Sequence, residues 1–260
     1  MKKIIVLLVV FSLAISTSVV AMDRVAVTNP GGNIITVPEK VTNTAPPLEM
    51  IEIVHKKKAK PDRPGKPVKP SKEDISCYGF ISGQAKLMEV ENIVINPYGS
   101  LMNPEQVKND FQYSLNVWQE QTSTTLFGNL TVDLTANFDT YADGVNEISF
   151  GDYGTSGTIA VTRIWGYFSG KPSARHITQF DMLFNTNYEW GTNDNPEIFI
   201  MDFKNIAIHE IGHTLGLNDM YETSCSEVTM FGYSGYGDIE KRSLATPDIN
   251  GLQKLYGPVI

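Results

Sequence analysis

Residues 208–219 constrain this chain more than any other stretch, because they combine metal-binding side chains with helical spacing. His209 and His213 are four residues apart, which places both imidazoles on one face of a helix. Gly216 is suited to end that helix in the left-handed conformation. The chain then turns back, so that Asp219 is placed to supply a third ligand. Three protein ligands leave one position open for water, as in catalytic zinc sites.

A helix that happens to carry two histidines is the simpler interpretation of this motif. The residues before it argue against that interpretation, because the apolar run 198–208 predicts a well-buried helix. Burying two imidazoles and the carboxylate of Glu210 without partners would cost several kcal/mol. A bound metal ion removes this conflict, and it places Glu210 beside a ligand, where its carboxylate can reach a water molecule.

The motif resembles the zinc signature of the metzincin proteases, with aspartate in place of the usual third histidine. Met230, which lies eleven residues after Asp219, resembles the methionine of their Met-turn. Residues 219–230 are similar to snapalysin-type bacterial proteases, and residues 248–257 look like the last helix of matrixin catalytic domains. The resemblance covers residues 76–260. Two matrixin features do not match, since we find neither a cysteine-switch motif nor a clear histidine set for a second, structural zinc.

This resemblance implies an α+β, metzincin-like fold. A twisted mixed sheet of about five strands and three main helices would enclose a zinc cleft between upper and lower subdomains. One catalytic Zn²⁺ would be held by His209, His213 and Asp219, with Glu210 as the general base. Tyr233 has two interpretations: it stabilises an oxyanion, as a Met-turn tyrosine does in some relatives, or it packs in an aromatic loop.

Local patterns place the other elements of this domain. Asn103 before Pro104 predicts the start of a helix, and Thr246 before a proline predicts the start of the last one. Strands are predicted at residues 130–138, 148–150, 158–165 and 177–184. By strand order and by the resemblance, the third of these is the edge strand that holds an extended substrate. The residues predicted to form this edge are Thr158, Ile159, Ala160 and Val161.

Residues 1–21 have the composition of a secretory signal peptide. A positively charged start precedes a short apolar run, and small residues lead to a cut after Ala21. The alternative is an uncleaved anchor, for which the apolar run is short. We therefore predict a secreted, extracellular protein with no stable membrane insertion after signal cleavage.

Residues 22–75 differ in composition from the rest of the chain. They contain eight prolines and a basic run that opens at His55 and ends near Lys72. This composition predicts a pro-segment or linker that is largely disordered, with weak strand signals at residues 34–37 and 50–54. The alternatives are an inhibitory pro-segment, a tether to a surface, and a solvated spacer.

The charge distribution changes at the same boundary. Residues 1–75 carry 12 basic and 7 acidic side chains, whereas residues 76–260 carry 9 basic and 22 acidic ones. An acidic folded domain argues against nucleic acid as a partner. We predict a monomer whose partner is a protein or peptide substrate. The basic arm is a candidate for attaching the protein to a cell surface.

The chain has two cysteines, Cys77 and Cys225. In an exported protein an even number favours a disulfide, which would tie the start of the domain to the loop after Asp219. The alternative is an inhibitory Cys77 thiolate on the zinc, which its flanking residues do not support.

A second metal site is less clearly indicated. The acidic side chains of Asp139, Asp143, Glu147 and Asp152 are compatible with Ca²⁺, but their spacing matches no known calcium loop. Solvated loop carboxylates are the simpler interpretation.

These observations predict a secreted zinc endopeptidase. A non-catalytic zinc-binding or adhesion module on the same fold is the first alternative, although such a module has no need of Glu210. The second is a surface-attached interaction protein in which the basic arm is the working part.

Overall fold

A computed structural model describes residues 24–28, 34–38, 47–58, 76–192 and 199–260. The predicted signal peptide lies outside the described residues. The strands are β1 (Arg24–Thr28), β2 (Ile34–Pro38), β3 (Glu49–Lys57), β4 (Gly79–Phe80), β5 (Glu91–Ile95), β6 (Phe127–Val132), β7 (Asn146–Gly151), β8 (Thr158–Tyr167), β9 (His176–Asn185), β10 (Trp190–Gly191), β11 (Met201–Asp202), β12 (Leu217–Asn218) and β13 (Tyr233–Ser234). The helices are α1 (Pro104–Gln119), α2 (Phe203–Thr214) and α3 (Thr246–Tyr256). None of these described helices combines the length and the apolar character that a membrane crossing requires.

Nine of the described strands form one mixed sheet, in the order β1-β2-β3-β8-β9-β7-β5-β6 with β13 paired to β3. Parallel pairing joins β6, β5, β7 and β9, whereas β8 runs antiparallel to β9. The helix α2 packs against α1 on one side and against β8 and β9 on the other. The predicted α+β fold with a mixed sheet and three helices is confirmed. The sheet is wider than the predicted five strands, because β1, β2, β3 and β13 are added to β5–β9.

Local sequence signals explain the helix α1. The side chain of Asn103 accepts hydrogen bonds from the backbone N–H groups of Glu105 and Gln106, as an N-cap does. The indole of Trp118 donates to the carbonyl of Ile208 at 2.8 Å and so fixes α1 against α2. The residues of α1 that recur at helical spacing are buried: Val107, Phe111, Leu115 and Trp118.

One predicted strand is wrong in its second half. The pattern from 130 to 138 predicts a single strand, but β6 ends at Val132. The Asp133 side chain accepts a hydrogen bond from the backbone N–H of Thr135 at 2.8 Å, which forms a turn in place of the sheet ladder.

The prediction that residues 22–75 are largely disordered is wrong for residues 47–58. The strand β3 is an interior strand that pairs with β2 on one side and β8 on the other. Its side chains alternate, with Ile51, Ile53 and His55 buried and the residues between them only partly covered. Such alternation stabilises a strand on a core even where the flanking sequence is rich in proline and lysine.

The same strand corrects the prediction for residues 158–161. We predicted an open edge there, but Val54 lies opposite Val161 and His55 lies opposite Ala160 in an antiparallel pair. In the full chain β8 is therefore an interior strand. That a substrate pairs with these residues stays a prediction.

Replacing Gly216 with alanine is expected to lower the free energy of unfolding by about 2–3 kcal/mol. Gly216 has φ 96°, and an added Cβ would lie 2.1 Å from the carbonyl oxygen of Ala85. Urea denaturation checks this value. Gly144→Ala is the control, since Gly144 has φ 89° but its Cβ would meet nothing within 4 Å. Equal losses in the two variants would show that the contact with Ala85 contributes nothing.

Candidate active site

The helix α2 brings the central motif into the interior. It begins at an N-cap, where the Asp202 side chain accepts from the backbone N–H of Asn205 at 2.9 Å. His209, Glu210 and His213 are all 0% exposed. Side chains of this polarity are buried only where they meet partners, so the groups around them define the site.

Three side chains converge on one point, as predicted for the zinc ligands. The Nε2 atoms of His209 and His213 are 3.1 Å apart. Oδ1 of Asp219 lies 3.1 Å from the first and 3.4 Å from the second. Tetrahedral zinc with bonds of about 2.05 Å separates its ligand atoms by about 3.3–3.4 Å, so the three atoms have the spacing that a shared ion requires.

Hydrogen bonds behind the two histidines orient their rings toward that point. Nδ1 of His209 donates to the carbonyl of Thr229 at 2.7 Å, and Nδ1 of His213 donates to the carbonyl of Leu217 at 2.9 Å. In a neutral imidazole this leaves Nε2 with a lone pair and no proton. Both lone pairs therefore face the carboxylate of Asp219.

The site fits a cation. Burial lowers the pKa of His209 to about 4, which keeps its ring neutral. Burial by itself would raise the pKa of Asp219, but the adjacent His213 and His209 hold it well below its ordinary value. Oδ1 of Asp219 is buried without a hydrogen-bond partner among the described residues. Burial by itself lowers the pKa of His213, but the Asp219 carboxylate raises it above its ordinary value. A metal ion would replace the proton that His213 and Asp219 otherwise share, and would meet both ring nitrogens and the buried oxygen.

Glu210 lies beside this cluster and is held at both oxygens. Thr162 of β8 donates to Oε2 at 2.6 Å, and Nδ1 of His55 lies 2.9 Å from Oε1. Burial raises the pKa of Glu210 to about 7. A carboxylate with a pKa near neutrality is suited to take up and release a proton at the pH of most extracellular environments.

Met230 packs against α2 beside the two histidines, and its role in a Met-turn stays a prediction. It is 0% exposed, and a Cβ on Gly212 of α2 would lie 2.3 Å from its sulfur. Glycine at position 212 is therefore what lets α2 approach this loop so closely.

The aromatic loop after Met230 contains Tyr233, whose role stays a prediction. Its ring packs 5.4 Å from that of Tyr221 and 5.8 Å from that of Phe231. The hydroxyl of Tyr221 donates to Oδ2 of Asp219 at 2.8 Å. The sequence does not by itself predict this contact, although a tyrosine two residues after a candidate ligand is close enough in the chain to indicate it.

Two further residues of the site were missed because they act across the fold. Lys241 is buried, and its ammonium group donates to the carbonyls of Phe231 and Tyr233 and to the hydroxyl of Ser234. Burial lowers its pKa to about 8. The other is Asp248 of α3, which is 0% exposed and holds the backbone around Met230. A lysine in a loop and an aspartate in the first turn of a helix are too common for the sequence to reveal such roles.

The structure contains the predicted disulfide between Cys77 and Cys225, with a Cα–Cα distance of 5.4 Å. It joins the segment before β4 to the 3-10 turn Thr223–Cys225, which precedes the Met-turn. A thiolate of Cys77 on the metal, the alternative, does not occur in this arrangement.

Three of the four acidic residues considered for calcium lie together. Carboxylate oxygens of Asp139, Asp143 and Glu147 are within 4.8 Å of one another. Asp152 instead accepts from the backbone N–H of Gly154 and the side chain of Asn187. Calcium binding stays a prediction.

Comparison with known proteins decides the family. Residues 91–257 match the Peptidase_M10 family, described as matrixin. The chain belongs to the matrixin family. The match contains α1, α2, α3 and the converging ligands of this matrixin, and it begins well after β3.

Several characterised relatives share this part of the chain. Macrophage metalloelastase of Oryctolagus cuniculus is 30% identical over 167 residues, which are 63% of this matrixin and 32% of the relative. Metalloendoproteinase 5-MMP of Arabidopsis thaliana is 29% identical over 157 residues, 59% of this chain and 40% of its own. Matrix metalloproteinase-25 of Mus musculus is 28% identical over 166 residues, which are 62% of this chain and 25% of the relative. This matrixin thus spans less than half the length of each of these relatives.

Proposed function

We propose that this matrixin is a secreted, zinc-dependent endopeptidase. The observation that carries the proposal is the convergence of His209, His213 and Asp219, with an unpartnered buried oxygen, next to Glu210. A purely structural zinc site is closed by four protein ligands. Three ligands with a buried carboxylate beside them are the arrangement of a hydrolytic site.

Each residue has a separate task in this proposal. His209, His213 and Asp219 would hold one zinc ion, which when bound acts as a Lewis acid toward water and the peptide carbonyl. Glu210 would accept the proton of the attacking water and later deliver it to the leaving amine. Thr162, by its hydrogen bond to Oε2, keeps the carboxylate aimed at the reacting atoms.

The substrate class follows from the geometry of β8 and the family. The relatives include a metalloelastase and a metalloendoproteinase. We infer that an extended segment of a protein substrate binds along β8 by backbone hydrogen bonds. Secretion is inferred from the predicted signal peptide and agrees with the disulfide between Cys77 and Cys225.

Replacing Asp219 with alanine is expected to weaken zinc binding by about 100-fold or more, because one of three ligands is lost. Elemental analysis of the purified full chain should find one zinc per wild-type molecule. Competition with a chromogenic chelator gives the affinity of both proteins. Asp152→Ala, which removes an exposed carboxylate, is the control and should bind zinc like the wild type.

Casein cleavage separates an endopeptidase from a zinc-binding module. Cleavage by the full chain should stop with 1,10-phenanthroline and return when zinc is restored. The full chain and its Glu52→Ala/His55→Ala variant are both assayed. If both bound one zinc ion per molecule but neither showed chelator-sensitive cleavage, the proposed activity would be contradicted.

A further inference from the structure

The strand β3 occupies the groove in which a substrate would lie. It runs antiparallel to β8 from Glu49 to Lys56, and its end runs parallel to β13. The N–H of Lys57 donates to the carbonyl of Gly157, and the N–H of Lys58 donates to that of Ser234, each at 2.8 Å. These two flanking segments are the walls of the site, since β8 carries Thr162 and β13 follows the Met-turn. An extended peptide could not pair with β8 while β3 is in place.

His55 of this strand reaches into the catalytic centre. It is 0% exposed, with Nδ1 2.9 Å from Oε1 of Glu210 and Nε2 3.1 Å from the hydroxyl of Ser234. Its ring centroid lies 3.9 Å from that of His209. The side chain thus takes the oxygen of Glu210 that Thr162 leaves free and packs against the ring of His209.

Polar contacts fasten β3 on either side of His55. Glu52 accepts from Nε of Arg163 and from the hydroxyl of Tyr153, each at 2.7 Å. At the other end Lys58 forms an exposed ion pair with Asp238 at 2.8 Å. The backbone pairing of β3 to β2 covers only residues 50–52. Residues 53–57 are therefore held mainly by the walls of the site, which a competing peptide would also contact.

We propose that β3 is an intramolecular inhibitor of the active site, with His55 as the blocking group on Glu210. The inhibitory effect rests on the proposed function, whereas the position of β3 in the groove does not. Cleavage then requires β3 to leave the groove. The family match begins at residue 91, so this strand is an addition to the matched domain and not a strand of it.

Two measurements on the full-length chain test this inference. The double variant Glu52→Ala/His55→Ala removes the blocking group and the hydrogen bonds of Glu52 with Arg163 and Tyr153. Its kcat/KM for a quenched fluorescent peptide should rise at least tenfold. The second measurement uses a fluorescein-labelled peptide of residues 47–58 in chelator-containing buffer, followed by anisotropy. The double variant should capture the peptide, whereas the wild type, whose groove is occupied, should not.

A surface variant keeps the test valid if the double variant fails to fold. Lys58→Glu replaces the ion pair with Asp238 by repulsion at a side chain that is 53% exposed. It should cleave faster and capture more peptide than the wild type. Lys171→Glu, at an exposed lysine outside the paired residues of β3 and β8, should match the wild type.

The outcomes separate this inference from the proposed function. Peptide capture by the released variants without any cleavage would support the inhibitory strand and contradict the endopeptidase. Folded variants that neither capture the peptide nor cleave faster than the wild type would overturn the inference and show that β3 is a permanent strand. Chelator-sensitive cleavage by the wild type would then still support the endopeptidase.

Discussion

Replacing Glu210 with glutamine is expected to lower kcat/KM for peptide cleavage by about 10³-fold, since general acid–base catalysis contributes about 10²–10⁴-fold. Glutamine keeps the size of the side chain and an oxygen that can accept from Thr162. It cannot take a proton from water near neutral pH, whereas burial has raised the pKa of the native carboxyl to about 7. Steady-state kinetics on a fluorescent peptide, in the Glu52→Ala/His55→Ala background, measure the loss.

Two measurements distinguish the loss of proton transfer by Glu210 from a loss of zinc binding. Zinc content should be unchanged, because Glu210 is not among the three convergent ligands. Thr162→Val removes the hydrogen bond to Oε2 but keeps the carboxylate, so its loss should be about tenfold. Activity of the glutamine variant within tenfold of its parent would exclude Glu210 as the general base.

The ligand set could be predicted because its residues are close in the sequence. The spacing of His209 and His213 fixes a shared helical face, and Gly216 fixes where the chain turns toward Asp219. The structure brings these groups together through α2 and the turn after it, whereas the orientation of the His209 ring also depends on the carbonyl of Thr229, twenty residues later. The start of α1 was predictable for the same reason, since an N-cap and the residues it bonds lie within one turn.

The inhibitory position of β3 could not be predicted from local signals. Its weak strand pattern at residues 50–54 is flanked by prolines and lysines, and the composition of residues 22–75 favours disorder. What stabilises β3 is its pairing with β8, about a hundred residues later in the chain, and the contact of Glu52 with Arg163. Spacing within the sequence does not reveal such distant partners, and it therefore predicts β8 as an edge strand.

Replacing Asp248 with alanine is expected to lower the free energy of unfolding by about 3–5 kcal/mol, because three backbone donors lose their acceptor. Oδ2 accepts from Thr229 and Ala245, each at 2.9 Å, and Oδ1 accepts from Met230 at 3.2 Å. The site should weaken as well. The carbonyl of Thr229 orients His209, and loss of such support costs about 10–100-fold in metal affinity.

Asp248→Asn gives a graded test of this account. Its amide oxygen can replace Oδ2 and keep two of the three acceptor bonds, so the loss of stability should fall between those of the wild type and the alanine variant. Asp152→Ala, at an exposed aspartate whose carboxylate accepts two hydrogen bonds, should lower the free energy of unfolding by no more than about 1 kcal/mol. Chemical denaturation of the chelated proteins gives the stabilities without a contribution from bound zinc, and chelator competition gives the metal affinities. If Asp248→Ala unfolded like Asp152→Ala yet bound zinc normally, the Met-turn would hold its shape without α3, and the ligand geometry would depend on α2 alone.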